Sequence, residues 1–350
     1  MSTVETKPDK KVEELDAVIL WVDGNDPAHR AKREATLAQM GVTQAGLRNA
    51  ASETRFADND EIYFCVASLL KYAPFIRRIH IVTDTQRPRW IDAFAREGLC
   101  APDKIRIVDH REIFRGYEAA LPTFNCRSIE ALLWKIPDLA EHFIYLNDDF
   151  FLNAPAKPAD FVSSDGKLWL EGTVKSVRTI VWQDRLKNLK SRLAGQTLRR
   201  TSFQSAQALA ASLVQARRFL ALEHTPRPMR RSTLQTYFAG HLEQLRKQIS
   251  YPFRSNEQFS PYALANALEI AAGTAVAVSP RPSIFIKSGG PRLDAQIEQV
   301  MREDMPSGCV QSLDRFDRAD QDRLTAALVQ KFADFLPKTL VEKQSDVRVA

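Results

Sequence analysis

The stretch FIYLNDDFFL, Phe143–Leu152, runs four apolar residues into Asn147, Asp148 and Asp149, then resumes with two phenylalanines. Burying charge is costly, so adjacent carboxylates at the end of an apolar strand need a physical reason. One reason is a turn or helix cap, with Asp149 accepting backbone N–H groups. Another is a divalent cation, since Mg2+ takes carboxylate oxygens and is commonly held by one or two of them plus substrate phosphates. Four further sites could join such chemistry. In WVDG, Asp23 either satisfies a tight turn or recognises a nucleotide base or ribose, with Gly24 allowing close approach of the ligand. In ETRFADNDE, Arg55 and Asn59 precede a helix start, which suits either a phosphate or a surface ion pair. His224 sits among charged and proline residues in EHTPRPMRR and is a candidate proton acceptor for an attacking hydroxyl. Arg254 in YPFRSNEQFSP is either a phosphate clamp or a structural ion pair.

The elements that must position these residues alternate. Apolar strands are expected at residues 17–22, 79–83, in DKIRIVDH and in HFIYLNDD, separated by helices in PAHRAKREATLAQM, NDEIYFCVASLLKYAP, RWIDAFAREG and NCRSIEALLWKIPDL. Strand–helix alternation over about 140 residues predicts a mostly parallel sheet with helices on both faces. In such sheets ligands gather outside the carboxyl ends of the strands. The four strands end in Asp23, Thr83/Asp84, Asp109/His110 and Asn147–Asp149, so one edge collects polar groups. Beyond Leu168 the pattern turns helical and basic over residues 185–250. TAVAVSP and PSIFIK read as two more strands rejoining the sheet, and RADQDRLTAALVQKFADFL reads as a C-terminal amphipathic helix.

With 350 residues, 44% hydrophobic and 26% charged, the chain has the composition of a soluble globular protein. No apolar run approaches the roughly 18 residues that span a membrane, and the polar N-terminus lacks the apolar centre of a secretory signal. A cytoplasmic protein is expected. Cys65, Cys100, Cys126 and Cys309 show no CxxC spacing, which argues against a zinc site or a disulfide framework; Cys65 and Cys126 read as small core residues. The net charge is +6, with arginines crowded between Leu198 and Ser232. These are either solvated helix faces or a surface for a phosphate-bearing partner. Nucleic acid is not expected, because neither a zinc finger nor an RNA-recognition aromatic motif is present.

The blocks DAVILWVDGNDP, TRFADNDEIYFCVASLLKYAPFIRRIHIVTDTQRPRW, LPTFNCRSIEALLWKIPDLAEHFIYLNDDFF, EHTPRPM with YPFRSNEQFSPY, and CVQSLDRFD resemble, in this order, the Stealth family. These are hexose-1-phosphate transferases of bacterial capsule and cell-wall polymer synthesis, related to the animal GlcNAc-1-phosphotransferase. The resemblance is dense over about residues 15–165 and patchy over 220–265 and 305–318. It implies a Rossmann-like, glycosyltransferase-A-type core, a UDP-sugar donor and Mg2+ or Mn2+. Carried over by motif, Asp23 and Gly24 would hold the nucleotide, Arg55 and Asn59 would face the donor, and Asn125 would line the sugar-phosphate pocket. Asp148 and Asp149 would serve the metal, His224 would be general base or transition-state stabiliser, and Arg254 the phosphoryl clamp. The chain departs from the family where FNS becomes Phe124-Asn125-Cys126, and where the fourth block reads CVQSLDRFD, leaving roles for Gln311 and Asp314 open.

The expected architecture is an α/β core with a mostly parallel sheet plus a helical basic subdomain. Residues 1–14 would be a disordered tail, 15–167 the nucleotide-sugar-binding core, 168–275 a mainly helical acceptor-side segment, and 276–340 strands and a helix completing the core. The expected reaction moves a hexose-1-phosphate from a UDP-sugar to an acceptor oligosaccharide or glycolipid hydroxyl, releasing UMP, with peripheral contact at the inner face of the plasma membrane. The competing expectations are a metal-dependent glycosyltransferase that breaks the sugar C1–O bond and releases UDP, and a non-catalytic nucleotide-sugar or glycan binder.

Overall fold

The computed structural model describes residues 14–42, 56–193, 202–290 and 292–347. Its strands are β1 (Leu15–Leu20), β2 (Ile76–Thr83), β3 (Ile105–Asp109), β4 (His142–Asn147), β5 (Phe150–Leu152), β6 (Leu168–Glu171), β7 (Thr173–Ser176), β8 (Arg218–Ala221), β9 (Arg227–Arg230), β10 (Ala275–Val278), β11 (Ile284–Lys287) and β12 (Ser307–Gln311). The main sheet has the order β3-β2-β1-β4-β9. Its first four strands are parallel and β9 runs antiparallel to β4. The order 3-2-1-4 is the Rossmann half-fold, and its reversal point lies between β1 and β4. The α/β core with a largely parallel sheet is therefore present.

β1 and β4 are apolar almost throughout, as central parallel strands buried on both faces must be. Asp16 is the exception in β1. Burial pushes its carboxyl up, but bonds from His80 Nε2 (3.1 Å), Arg77 Nε (2.9 Å) and the Ala140 amide (2.8 Å) outweigh this and hold it well below the usual carboxylate range. The helix Glu61–Tyr72 packs on β5 and against the C-terminal helix Arg318–Phe332.

Three elements differ from the sequence reading. The proline-rich segment after His224 is strand β9, where Pro228 sits opposite Ile144. Pro cannot donate to a second neighbour, and the edge position asks for none. The single helix read in NCRSIEALLWKIPDL is a short helix, Cys126–Glu130, followed by a 3-10 turn, Leu133–Lys135. Ile136 then turns extended (ψ 122°) ahead of Pro137. β10 and β11 do not rejoin the main sheet: β10 pairs with β6, and β11 pairs with β12, whose other neighbour is β5. β5 leaves the main sheet just after the acid pair, and the Val310 amide donates to Asp149 O (3.0 Å). This pairing brings the Gln311–Arg315 segment to the edge where the acids lie.

The basic stretch 185–250 holds the helices Phe203–Leu213, Arg231–Ala239 and Leu242–Ile249 and the end of Val177–Leu193, interrupted by β8 and β9. Among the described residues no helix is long and apolar enough to cross a membrane.

Gly24 is pressed against the chain's own Phe56. Its N–H donates to Phe56 O (2.6 Å), and an added Cβ would lie 2.3 Å from Phe56 Cβ and 2.4 Å from Phe56 O. Gly24→Ala is therefore expected to destabilise the protein by about 1–3 kcal/mol, read as a lower urea midpoint at unchanged slope. A midpoint equal to wild type would mean that the Phe56 turn yields freely.

Candidate active site

A cavity of about 670 Å³ opens at the carboxyl ends of β1, β2, β3 and β4. From those strand ends Trp21, Asp84, His110 and Asn147–Asp149 line it. The facing wall comes from Cys126, Arg127 and Glu130 of the short helix, from Phe203, from His224 and Arg227 before and in β9, and from Arg254. Gln311 and Asp314 close it from the β12 side.

The acid pair is electrostatically frustrated. Burial, then Asp149, Glu61 and Asp58, push the Asp148 carboxyl well above its usual range. Burial pushes Asp149 to about 6. Among the described residues Asp149 Oδ1 is buried without a partner, while its Oδ2 meets Cys309 Sγ at 3.5 Å. Asp58 and Glu61 are each raised to about 7, chiefly by burial. Among the described residues no group of three or more His, Cys, Asp or Glu forms a metal cage. Two carboxylates with an orphaned buried oxygen nonetheless fit a cation that completes its shell with water and substrate phosphates.

The opposite wall is cationic. Arg254 Nη2 lies 2.6 Å from Cys126 Sγ, a weak acceptor that leaves most guanidinium donors uncommitted. Arg227 lies over the rings of Tyr262 (4.4 Å), Phe150 (5.2 Å) and Tyr145 (5.6 Å), with its Nε buried and unpartnered among the described residues. Glu130 accepts from Tyr145 OH through Oε1 (2.9 Å), and its Oε2 has no partner among the described residues. Burial raises the Glu130 carboxyl against the pull of Arg254 and Arg227. His224 stacks between Phe203 (centroids 5.5 Å) and Phe285 (5.2 Å), and burial, then Arg227, lowers its pKa.

Of the residues singled out from sequence, Asp148, Asp149, His224 and Arg254 line this one cavity. Others support it. Asn125 is fully buried: its Nδ2 donates to Tyr251 O (2.9 Å) and Gln258 Oε1 (2.8 Å), and its Oδ1 accepts from Arg127 N (3.1 Å). It ties the short helix to the 251–258 segment that carries Arg254, and it does not line the cavity. Asp23 Oδ1 caps the turn by accepting from Asn25 N (2.8 Å), and its backbone is clasped at both ends by Gln86. The close approach that Gly24 permits is to Phe56. Asn59 is bound to Glu61, and Glu61 is the one of the two that reaches the cavity. Arg55 lies outside the described residues. Cys126, read as a core residue, lines the cavity against Arg254.

Arg227 and Glu130 were not assigned to the site from sequence, whereas His110 was legible among the polar strand ends. Arg227 was one of many arginines in a basic stretch, and Glu130 lay unremarked in a stretch read as one helix. For Glu130 the signal is a charged residue beside the apolar Ile129 and Ala131–Leu133; the basic, proline-rich stretch around Arg227 offers no such signal. Asp314, whose role the sequence left open, also ends with a buried Oδ1 that lacks a partner among the described residues.

Residues 13–41 match Stealth protein CR1, conserved region 1, and residues 55–170 match Stealth protein CR2, conserved region 2. An exopolysaccharide phosphotransferase of Streptomyces coelicolor is 44% identical over 152 residues, covering 43% of this chain and 24% of that protein. The capsular polysaccharide phosphotransferase LcbA of Aeromonas hydrophila is 40% identical over 166 residues, covering 47% of this chain and 43% of that protein. The chain thus spans less than half the length of these relatives. Among solved structures, the galactosyltransferase LgtC in complex with donor and acceptor sugar analogs aligns with a TM-score of 0.43 and 14% identity, over 78% of this chain and 93% of that one. Over residues 13–41 and 55–170, which hold the strand-end acids and the short helix of the facing wall, the chain is similar to conserved regions 1 and 2 of the Stealth proteins.

Proposed function

We propose that this chain transfers a hexose-1-phosphate, from UDP-N-acetylhexosamine or UDP-glucose, to a hydroxyl of an acceptor glycan in capsule or exopolysaccharide synthesis. The product is a sugar–sugar phosphodiester and the leaving group is UMP. The observation that carries this reading is one cavity lined both by the frustrated Asp148/Asp149 pair and by the guanidinium groups of Arg254 and Arg227. Phosphoryl transfer asks for this combination, because it proceeds mainly by positioning and by neutralising the charge on the transferring group.

Asp148 and Asp149 are the residues that would hold Mg2+ or Mn2+, which when bound supplies positive charge to the donor diphosphate. Arg254 and Arg227 bind the oxygens of the phosphoryl group attached to the sugar. The acceptor oxygen attacks that phosphorus, its bond forms as the bond to the bridging oxygen of UMP breaks, and the hydroxyl proton passes to the neutral ring of His224. Burial against aromatic rings keeps His224 neutral at physiological pH and so able to take that proton.

The test is to separate UMP from UDP after incubation with a panel of UDP-sugars, divalent metal and acceptor-rich extract. UMP is the expected product; UDP would sink the proposal in favour of an ordinary glycosyltransferase. The pH dependence follows from the sign of the His224 shift. A lowered pKa keeps the base form populated below pH 6.5, so at saturating metal the acid limb of UMP release should fall below that value. A limb above 6.5 would remove His224 as the base.

A further inference from the structure

The helix Val177–Leu193 carries apolar residues on two opposite sides. One side, Val177 and Ile180, is buried with Ala208 and Ala211 of the helix Phe203–Leu213 and with Phe219 of β8. The other side, Trp182, Leu186, Leu189 and Leu193, is bare, with 60, 37, 54 and 81% exposure. At 100° per residue these four fall within about 60° of arc, centred opposite the packed side. Exposed cations flank the stripe: Arg178 and Arg185 along one border and Lys190 along the other, with Lys187 farther round. In sequence the helix carries five cations, these four and Arg192, against a single acid, Asp184.

We propose that this stripe is a docking surface for an anionic lipid bilayer, with the helix lying in the plane of the headgroups. The chemistry favours a lipid surface over an apolar protein partner on two counts. A tryptophan and three leucines bordered by lysine and arginine is the pattern of helices that bury one face at the headgroup–acyl boundary. Each cation beside an anionic surface adds of order 1 kcal/mol of attraction, whereas the same cations around a protein-protein groove would need matching acids. The placement has a functional consequence. The helix rests on Phe203–Leu213, whose Phe203 and Ala206 line the cavity, so docking would hold the cavity one helix layer from the membrane surface. The inference itself stands on the surface alone and does not require the reaction proposed above.

The experiment is sedimentation of the full chain with phosphatidylcholine vesicles, with and without about one third phosphatidylglycerol. The chain should pellet with the anionic vesicles and lose that binding in high salt. Leu189→Ser combined with Leu193→Ser, and separately Arg185→Glu combined with Lys190→Glu, should each lower the partition coefficient by roughly tenfold or more. Because all four positions are exposed, melting by circular dichroism should match wild type. Brominated lipid should quench a component of the fluorescence that disappears in Trp182→Phe. Failure to pellet with anionic vesicles would overturn the proposal, as would variants that bind like wild type. So would a dimer, seen by light scattering, that the double-serine variant dissolves while vesicles stay unbound; that result would give the stripe to a second copy of the chain.

Discussion

Asp149→Asn is expected to lower UMP release by roughly a thousandfold while raising the melting temperature of the metal-free protein. The two effects share one cause. Burial raises the Asp149 carboxyl from 3.8 to about 6. The folded state therefore holds a proton that the unfolded chain releases, and stability declines as pH rises from the unfolded value through about 6. Above that pH the whole penalty is present, and asparagine removes it. At pH 7.5, without metal, the variant should melt above wild type. Adding Mg2+ or Mn2+ should raise the wild-type melting temperature and leave that of the Asp148→Asn, Asp149→Asn double variant unmoved, because a cation stabilises only the state that binds it. A variant that is active and melts lower would instead make the acid pair a turn, with Asp149 serving only the backbone.

Arg254→Lys should lower kcat by about a hundredfold to a thousandfold, with calorimetric binding of the UDP-sugar weakened only severalfold. The charge survives this change but the planar fork does not, and a lysine ammonium cannot hold two phosphoryl oxygens at once. The separation of kcat from binding is the informative part. Among the described residues the only hydrogen bond of Arg254 is to the weakly accepting thiol of Cys126, so its remaining donors face the cavity. A residue that merely balanced buried Glu130 would show unchanged kcat in the lysine variant, since either cation serves that purpose. That result would return the clamp role to Arg227, which lines the same cavity over the rings of Tyr262 and Phe150.

What the sequence determined by itself was local. The apolar runs of β1 and β4 name their own strands, because a central strand buried on both faces needs a nearly continuous run of such residues, and β2 and β3 show as shorter β-branched segments that end in polar turns. Polar groups at the ends of four parallel strands must then meet at one edge, and Asp148 and Asp149 were legible there before any coordinates. His224 was legible as an odd residue in a rigid proline-rich segment, and both His224 and Arg254 as matches to a family pattern. Tertiary structure decided everything that depends on which distant segment arrives. Asn125 looked like a cavity residue, but Tyr251 and Gln258, more than a hundred positions away, take its amide. Gly24 looked like room for a ligand, but Phe56 fills the room. Arg227 became a cavity cation only because β9 adds to β4, a non-local pairing that Pro228 disguises in sequence. Asp314 arrives through the pairing of β5 with β12. The helix Val177–Leu193 makes the same point: its sequence is apolar on two sides, and only the packing of Phe203–Leu213 against one of them determines which side stays bare.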